Sequence, residues 1–139
     1  MHLLDTDTLT HLHAGHPGVI EHLRDLDDPD VGITIVTRIE ILRGRFESVM
    51  KASDGEQLLK AQMWLQRSEQ LLSGLLILPF DERSATEFDR LREIKRLRKI
   101  GRADLLIASI TLSRRAVLVT RNVQHFQQIP DLRVINWVD

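Results

Sequence analysis

Three acidic residues lie at positions from which a folded chain could bring them into one site. Asp5 follows a short apolar run, Glu40 is flanked by isoleucines, and Asp104 opens the apolar stretch of GRADLLIA. Carboxylates that share a pocket repel one another and are costly to bury unless a cation meets them. Mg²⁺ or Mn²⁺ suits such a set, because both ions prefer oxygen ligands and commonly bridge carboxylates to phosphate. The pattern therefore permits metal-assisted hydrolysis of a phosphodiester.

Each of these acids also has a purely structural interpretation. Asp5 and Asp7 could cap the first helix, and Asp104 could cap a later one, because aspartate favours that position. Glu40 could be a solvated residue at the edge of an apolar helix stripe. The spacing permits the acids to converge, and both interpretations stay open at this point.

Short apolar strands alternating with helices are expected to position these residues. The patterns predict strands over 2–4, 75–78, 117–119 and 133–136, and a loop punctuated by Pro29 and Gly32. They predict helices over 6–14, 18–27, 54–73, 84–99 and 103–114, and one that Thr34 caps and that ends near Gly44. Such alternation indicates an α/β fold with a parallel sheet covered on both faces. Ligands bind beyond the carboxyl ends of such strands, where Asp5 and Asn122 would lie.

Composition bounds the class of protein. A chain of 139 residues predicts a single domain over 1–139, and 42% hydrophobic with 28% charged residues is typical of a soluble globular protein. No apolar run approaches the roughly 18 residues of a membrane span, and the start lacks the features of a secretory signal. The absence of cysteine excludes disulfides and thiolate metal sites, and it favours a cytoplasmic location.

Charge is balanced overall but is unevenly distributed. The formal net charge of −1 argues against a general nucleic-acid coat. The segment 90–102 nevertheless carries seven basic residues against one acidic residue, Glu93. This segment predicts either a local face for a polyanion or an ordinary solvated helix face.

Four segments occur in an order that resembles a known family. LLDTDTL near the start, TRIEILRG (37–44), GRADLLIA (101–108) and LVTRN (118–122) look like the motifs of the PIN-domain nucleases. More narrowly they resemble the VapC toxins of bacterial toxin–antitoxin pairs, whose usual ending is similar to IPDLRVINW (129–137). The resemblance covers essentially the whole chain.

The resemblance implies a PIN-like three-layer α/β/α sandwich and an endoribonuclease that depends on Mg²⁺ or Mn²⁺. It also implies an RNA substrate, a cognate antitoxin protein and a homodimer. Carried over by motif, the catalytic and metal-binding carboxylates are Asp5, Glu40 and Asp104, with Asn122 as a weaker metal ligand. Supporting or substrate-binding roles fall to Thr6, Asp7, Thr120, Arg121 and Arg102, and the basic segment 90–99 is a further candidate for phosphate contacts.

The last motif departs from the family pattern. Where the family often supplies a fourth acid, this chain has Asn122 and, three residues later, His125. Oxygen and nitrogen donors remain, but negative charge is lost, which argues against a tightly held second ion. A PIN-like module that binds RNA or an antitoxin with little catalysis is therefore the main alternative.

Two further interpretations have weaker support. DTDT also resembles the opening of haloacid-dehalogenase phosphatases, but the later paired acids that those enzymes need are missing. His11, His13 and His16 could in principle bind Zn²⁺ or Ni²⁺, although residues two apart do not share a helix face. We expect these histidines to lie at the surface or at helix ends.

The helix predicted over 54–73, together with Leu42, Phe46 and Val49, has more apolar surface than a small core requires. We expect either a groove for an antitoxin segment or plain core packing. An antitoxin arm could also place an arginine in the acidic pocket and displace the metal.

Overall fold

The computed structural model describes all 139 residues and alternates strands with helices along the chain. The strands are β1 (His2–Leu4), β2 (Val31–Thr34), β3 (Leu76–Leu78), β4 (Val117–Val119) and β5 (Arg133–Ile135). The helices are α1 (Thr6–His13), α2 (Pro17–Asp25), α3 (Ile35–Lys51), α4 (Gly55–Ser73), α5 (Glu82–Arg92), α6 (Arg102–Ser113) and α7 (Val123–Phe126). A short 3₁₀ helix, Lys95–Leu97, lies between α5 and α6.

The five strands form one parallel sheet in the order β3-β2-β1-β4-β5. The strand that comes first in the chain therefore lies at the centre, with β2 on one side and β4 on the other. The chain order reverses between β1 and β4, and ligands of open α/β sheets bind at the carboxyl ends of the strands at such a point. The topology thus singles out the residues that directly follow β1 and β4.

Side chains of β1 alternate between two hydrophobic clusters, one on each face of the sheet. Leu3 belongs to the larger cluster with Ile107 and Leu118, whereas Leu4 belongs to the smaller one with Ile33. This alternation follows from the two-residue period of a strand. The sheet is therefore covered on both faces, which confirms the predicted three-layer α/β/α sandwich.

Capping residues set the beginnings of the longer helices. Thr34 caps α3 by accepting a hydrogen bond from the backbone N–H of Thr37, as the sequence predicts. Asp54 caps α4 in the same way, accepting from the backbone N–H of Gln57. Because Thr34 also ends β2, the strand leads directly into the helix that carries Glu40.

The segment around Gly32, predicted as a loop, is strand β2. It is paired on both sides, with β1 and β3. A Cβ atom added at Gly32 would lie 2.4 Å from the carbonyl oxygen of Leu76, so the glycine permits the close approach of β3. Because Gly32 was interpreted as a turn signal, the sequence did not predict this inner strand of the sheet.

Three helix predictions also differ from the structure. Helix α3 continues beyond Gly44 to Lys51, because an exposed glycine weakens a helix without ending it. The helix predicted over 84–99 ends at Arg92, and the extended backbone at Ile94 lets Leu97 turn back into the core beside Leu91. The short helix α7 was not predicted, since four residues give no measurable periodicity.

The apolar stripe that Ile35, Ile39 and Leu42 predict for α3 is only partly observed. Val36 and Thr37 are the buried residues of that helix, whereas Ile39 is 46% exposed. No helix of the structure is both long enough and apolar enough to cross a membrane.

Candidate active site

An open cleft of about 440 Å³ lies beyond the carboxyl ends of β1 and β4. It gathers most of the site residues that the sequence predicts, contributed by α1, α3, α6 and the segment after β4. Its lining residues are Asp5, Thr6, Asp7, Glu40, Asp104, Ile107, Arg121, Asn122 and Phe126.

Asp5 is both a helix cap and a wall of the cleft. Its Oδ1 accepts a hydrogen bond of 2.8 Å from the backbone N–H of Thr8, which caps α1. The residue is only 8% exposed, and this burial raises the pKa of its carboxyl group, although hydrogen bonds from Thr120 and Thr8 oppose the effect. The structural interpretation of Asp5 as a helix cap is therefore confirmed, and the same residue lines the cleft, where its catalytic role stays a prediction.

Glu40 is half-buried on α3 and is held by a residue of α1. Thr6 Oγ1 donates a hydrogen bond of 2.6 Å to Glu40 Oε1 and also lies 3.2 Å from the hydroxyl of the buried Thr37. The Thr6 hydroxyl thus links the element that carries Asp5 to the element that carries Glu40. This contact gives Thr6 a defined supporting position beside a predicted catalytic acid.

Asp104 lies in the first turn of α6 and does not cap it. The N-cap is Gly101, and no side chain closes that helix end. A carboxylate near a helix N-terminus is favoured by the helix dipole without any capping bond. Asp104 Oδ2 instead lies 3.0 Å from Nε2 of His125, and this contact joins α6 to α7 beside the cleft.

Residues that follow β4 complete the cleft on its other side. The buried hydroxyl of Thr120 accepts from the backbone N–H of Asn122 at 3.1 Å, which shapes the turn. The Asn122 amide is exposed and makes no capping hydrogen bond to α7, so its oxygen faces no competing backbone partner. Arg121 Nε donates to Asp139 Oδ2 at 3.2 Å.

Two groups of predicted substrate residues lie outside the cleft lining. The guanidinium of Arg102 is 5.6 Å from the ring centre of Phe88, on the α5 side of α6. Within the basic segment, Arg90 pairs with Glu87 at 2.6 Å and Arg92 also lies over Phe88. These side chains are exposed, but any contact with a substrate would fall outside the acidic centre itself.

The donor chemistry of the cleft fits a hydrated divalent cation. No three acidic or histidine side chains of the chain stand close enough to enclose an ion between them. Mg²⁺ does not need such an enclosure, because it keeps several waters and binds through one or two carboxylates. Asp5, Glu40, Asp104 and Asn122 supply the oxygen atoms, and the unfavourable burial of the Asp5 charge is what a cation relieves.

The histidines near the start lie at or close to helix ends, in the last turn of α1 and at the beginning of α2. His16 caps α2 by accepting a hydrogen bond of 3.2 Å from the backbone N–H of Val19. The rings of His11 and His16 meet edge to face with 5.3 Å between their centres. Desolvation by neighbouring groups lowers the pKa of the His13 imidazole, although the residue remains exposed.

Sequence reasoning missed some residues of the site. Ile107 and Phe126 form the apolar part of the cleft lining, and Asp139 binds Arg121 from a distant part of the chain. Buried apolar residues are common to every core, and a pairing across 18 positions leaves no local pattern. No sequence signal could have found them.

The chain belongs to the PIN-domain family, which matches residues 2–132 and thus includes every residue of the cleft. This match confirms the class that the four ordered motifs indicate. The phosphatase interpretation of DTDT receives no support from it.

Within the family, the chain is similar to VapC proteins along its full length. It is 30% identical to ribonuclease VapC1 of Haemophilus influenzae, covering 99% of this chain and 98% of the relative. It is 28% identical to the tRNA(fMet)-specific endonuclease VapC of Salmonella typhimurium, covering 97% of this chain and 96% of the relative. The structure of VapBC-1 from nontypeable Haemophilus influenzae superimposes with a TM-score of 0.79 at 26% identity, covering 99% and 98% of the two chains.

Proposed function

We propose that this chain is a Mg²⁺- or Mn²⁺-dependent endoribonuclease that acts as the toxin of a toxin–antitoxin pair. The observation that carries the proposal is the cleft, which brings Asp5, Glu40 and Asp104 together at the point where the strand order reverses. Full-length similarity to proteins named as ribonucleases supports RNA as the substrate class.

The residues of the cleft divide the work of phosphodiester hydrolysis between them. A bound divalent cation supplies positive charge at the phosphate and lowers the pKa of water. Asp5, Glu40 and Asp104 would hold that cation, directly or through water, and one of these carboxylates would accept the proton of the attacking water. Arg121 would bind a backbone phosphate, and this role is supported by its position in the cleft lining and by a side chain that is 54% exposed.

The experiment is cleavage of total cellular RNA by the purified chain in Mg²⁺, in Mn²⁺ and in EDTA. We expect discrete fragments with either metal and none with EDTA. Asp5→Asn and Asp104→Asn should each lower the rate at least about 100-fold, because each removes charge that the transition state uses. Asp89→Asn, an exposed acid of α5 outside the cleft, is the matched control and should leave the rate unchanged. Wild-type rates in both cleft variants would contradict the mechanism.

The second candidate function is a PIN-like module that binds RNA or an antitoxin without efficient catalysis. The observation in its favour is that Asn122 and His125 replace the acidic position of the last motif. Metal-dependent RNA binding without cleavage, by chain shown to be free of antitoxin, would favour this candidate.

We assign the antitoxin to the exposed apolar surface of α3 and α4. Phe46 and Met50 on α3 are 50% and 83% exposed, and Leu59 and Met63 on α4 are 71% and 51% exposed. On α3, Phe46 and Met50 line one surface groove together with Ile39 and Leu42, and an exposed apolar patch of this kind is typical of an interaction surface. The alternative of plain core packing accounts for Leu42 and Val49, which are half-buried, but not for the four exposed residues.

Co-expression with the product of the adjacent gene tests this assignment. The wild-type chain should co-purify with that protein, and Phe46→Glu should weaken the pairing, whereas Lys99→Glu, elsewhere on the surface, should not.

Light scattering of the free chain tests the homodimer, with a mass of twice 16.0 kDa as the expected result. RNA as substrate and the absence of cysteine favour the cytoplasm as the compartment.

A further inference from the structure

His125 occupies a fixed position beside one of the three acids. Its Nε2 lies 3.0 Å from Asp104 Oδ2, and the two side chains are 25% and 40% exposed. The ring packs edge to face against the buried ring of Phe126, with 5.2 Å between the centres. Gln128 Nε2 donates to the backbone carbonyl of His125 at 3.1 Å, which closes the turn after α7. The imidazole is therefore held from two sides.

Each of the three acids has a donor that engages a named carboxylate oxygen. The backbone N–H of Thr8 binds Asp5 Oδ1, and the hydroxyl of Thr6 binds Glu40 Oε1. For Asp104 the donor is the Nε2–H of His125, the one side-chain partner that this carboxylate has. Oδ1 of Asp104 and Oε2 of Glu40 stay without a protein partner.

We propose that His125 is a positioning residue that orients Asp104 for the divalent cation. The inference rests on the proposed function, since it assigns a role toward the same metal site. The imidazole donates its Nε2–H to one carboxylate oxygen and leaves the other for the cation or its water. In this arrangement Nε2 of His125 is a donor to Asp104 and not a metal ligand, because it carries the donated proton.

The physical reason is the entropy and the direction of the carboxylate. An aspartate in the first turn of an exposed helix end samples several rotamers, and binding an ion would have to select one of them. A hydrogen bond from a packed ring makes that selection before the ion arrives. Partners of this kind, which contact a ligand rather than the metal, change metal affinity by about 10–100-fold when removed.

The experiment is a Mn²⁺ titration of the metal-free chain without RNA, followed by the electron paramagnetic resonance of free Mn²⁺. His125→Ala should raise the Kd for Mn²⁺ about 10–100-fold. His125→Gln should stay within about threefold of wild type, because its amide nitrogen occupies nearly the place of Nε2 and can donate. His125→Asn, whose shorter amide does not reach Asp104, should behave like the alanine variant and provides a second variant that lacks the donor.

A matched control removes an imidazole elsewhere. His22 is exposed, stacks on Trp137 and contacts the Gly18 carbonyl, so His22→Ala should bind Mn²⁺ as the wild type does. Circular dichroism of each variant verifies that its helices are intact. Asp104→Ala removes the carboxylate itself, and its Kd for Mn²⁺ is the upper value with which the His125 variants are compared.

The possible results separate the inference from the function on which it rests. Unchanged Mn²⁺ affinity in His125→Ala and His125→Asn would overturn the positioning role, while metal-dependent RNA cleavage would still support the nuclease. Weak binding by His125→Gln, equal to that of His125→Ala, would overturn the donor assignment. A wild-type chain that neither binds Mn²⁺ nor cleaves RNA would overturn both.

Discussion

At the scale of single residues, the cleft combines local structural roles with chemical ones. Asp5 closes a helix and carries a charge that its burial disfavours. Glu40 and Asp104 lack such capping roles, and each is held by one side-chain donor from another element, Thr6 and His125. Acids arranged in this way are oriented before a cation binds, which reduces the conformational entropy lost on binding.

Substitution of Asp5 should separate its charge from its capping role. Because burial raises the pKa of Asp5, the folded state keeps a proton that the unfolded state has lost at pH values between 3.8 and the raised pKa. Stability contributed at this residue therefore falls as pH rises from 3.8 through the raised pKa. Asn retains the capping oxygen and removes the charge, so metal-free Asp5→Asn should be at least as stable as wild type at pH 7. The difference in the free energy of unfolding between Asp5→Asn and the wild type, measured by urea unfolding, should shrink toward pH 4.

Asp5→Ala is the companion variant, because it removes the charge and the cap together. It should lower the free energy of unfolding by about 0.5–2 kcal/mol relative to Asp5→Asn. Equal stability of the two variants across that pH range would show that the contact with Thr8 adds nothing.

Substitution of Thr6 tests the link between α1 and α3. Thr6→Val keeps the shape of the side chain and removes the hydroxyl that binds Glu40, so we expect Mn²⁺ affinity to fall about 10-fold. Thr6→Ser restores the hydroxyl and should bind Mn²⁺ nearly as the wild type does. The affinities are measured by calorimetry on metal-free chain, and equal values for Val and Ser would argue against the link.

At the scale of elements, strand β2 decides where Glu40 lies. Thr34 is both the last residue of β2 and the cap of α3, so the pairing of β2 with β1 fixes the start of the helix that carries Glu40. Gly32 lets β3 approach on the other side. Gly32 in β2 therefore helps to set the position of Glu40 in the following helix.

Gly32→Ala should strain this part of the sheet. The added Cβ would meet the Leu76 carbonyl oxygen at 2.4 Å, a backbone atom that cannot move without displacing β3. We expect the free energy of unfolding to fall by about 1–3 kcal/mol in urea unfolding. Gly44→Ala is the control, since nothing lies within 4 Å of its added Cβ on exposed α3, and it should stabilise the chain by up to about 1 kcal/mol. A Gly32→Ala chain as stable as wild type would contradict the close approach.

The elements that carry the site could be predicted better from sequence than the contacts within it. Strands β1 and β4 matched their apolar runs, and α6 began one residue before its prediction. Strand β2 escaped because Gly32 and Pro29 are local turn signals, whereas its pairing partners are far away in sequence. The motifs located Asp5, Glu40 and Asp104, but the reach of Thr6 to Glu40 depends on how two helices pack.

At the scale of the whole molecule, the two faces of the sheet are covered by clusters of different size. Fifteen buried residues lie on one face and seven on the other, where Trp137 contributes the largest side chain. The rings of His2 and His22 stack on its indole, each with 5.8 Å between ring centres. The smaller cluster therefore depends on one residue near the end of the chain.

Loss of the Trp137 side chain should be severe. The residue is 2% exposed, and Trp137→Ala should lower the free energy of unfolding by about 3–5 kcal/mol. Trp64→Ala is the comparison, because Trp64 is only half-buried between Arg45 and Arg67, and its removal should lower stability less. Urea unfolding followed by circular dichroism measures both, and a larger loss for Trp64 would contradict this account of the smaller cluster.

Because β1 lies at the centre of the sheet, the cleft can form only at a late stage of chain synthesis. His2 pairs with Val117 and Leu4 with Val119, so β1 cannot complete its pairing until the much later β4 has been synthesised. The cleft also requires the synthesis of β4, because its lining residues Arg121 and Asn122 come shortly after that strand. A chain whose synthesis has not yet passed Asn122 therefore has no complete cleft.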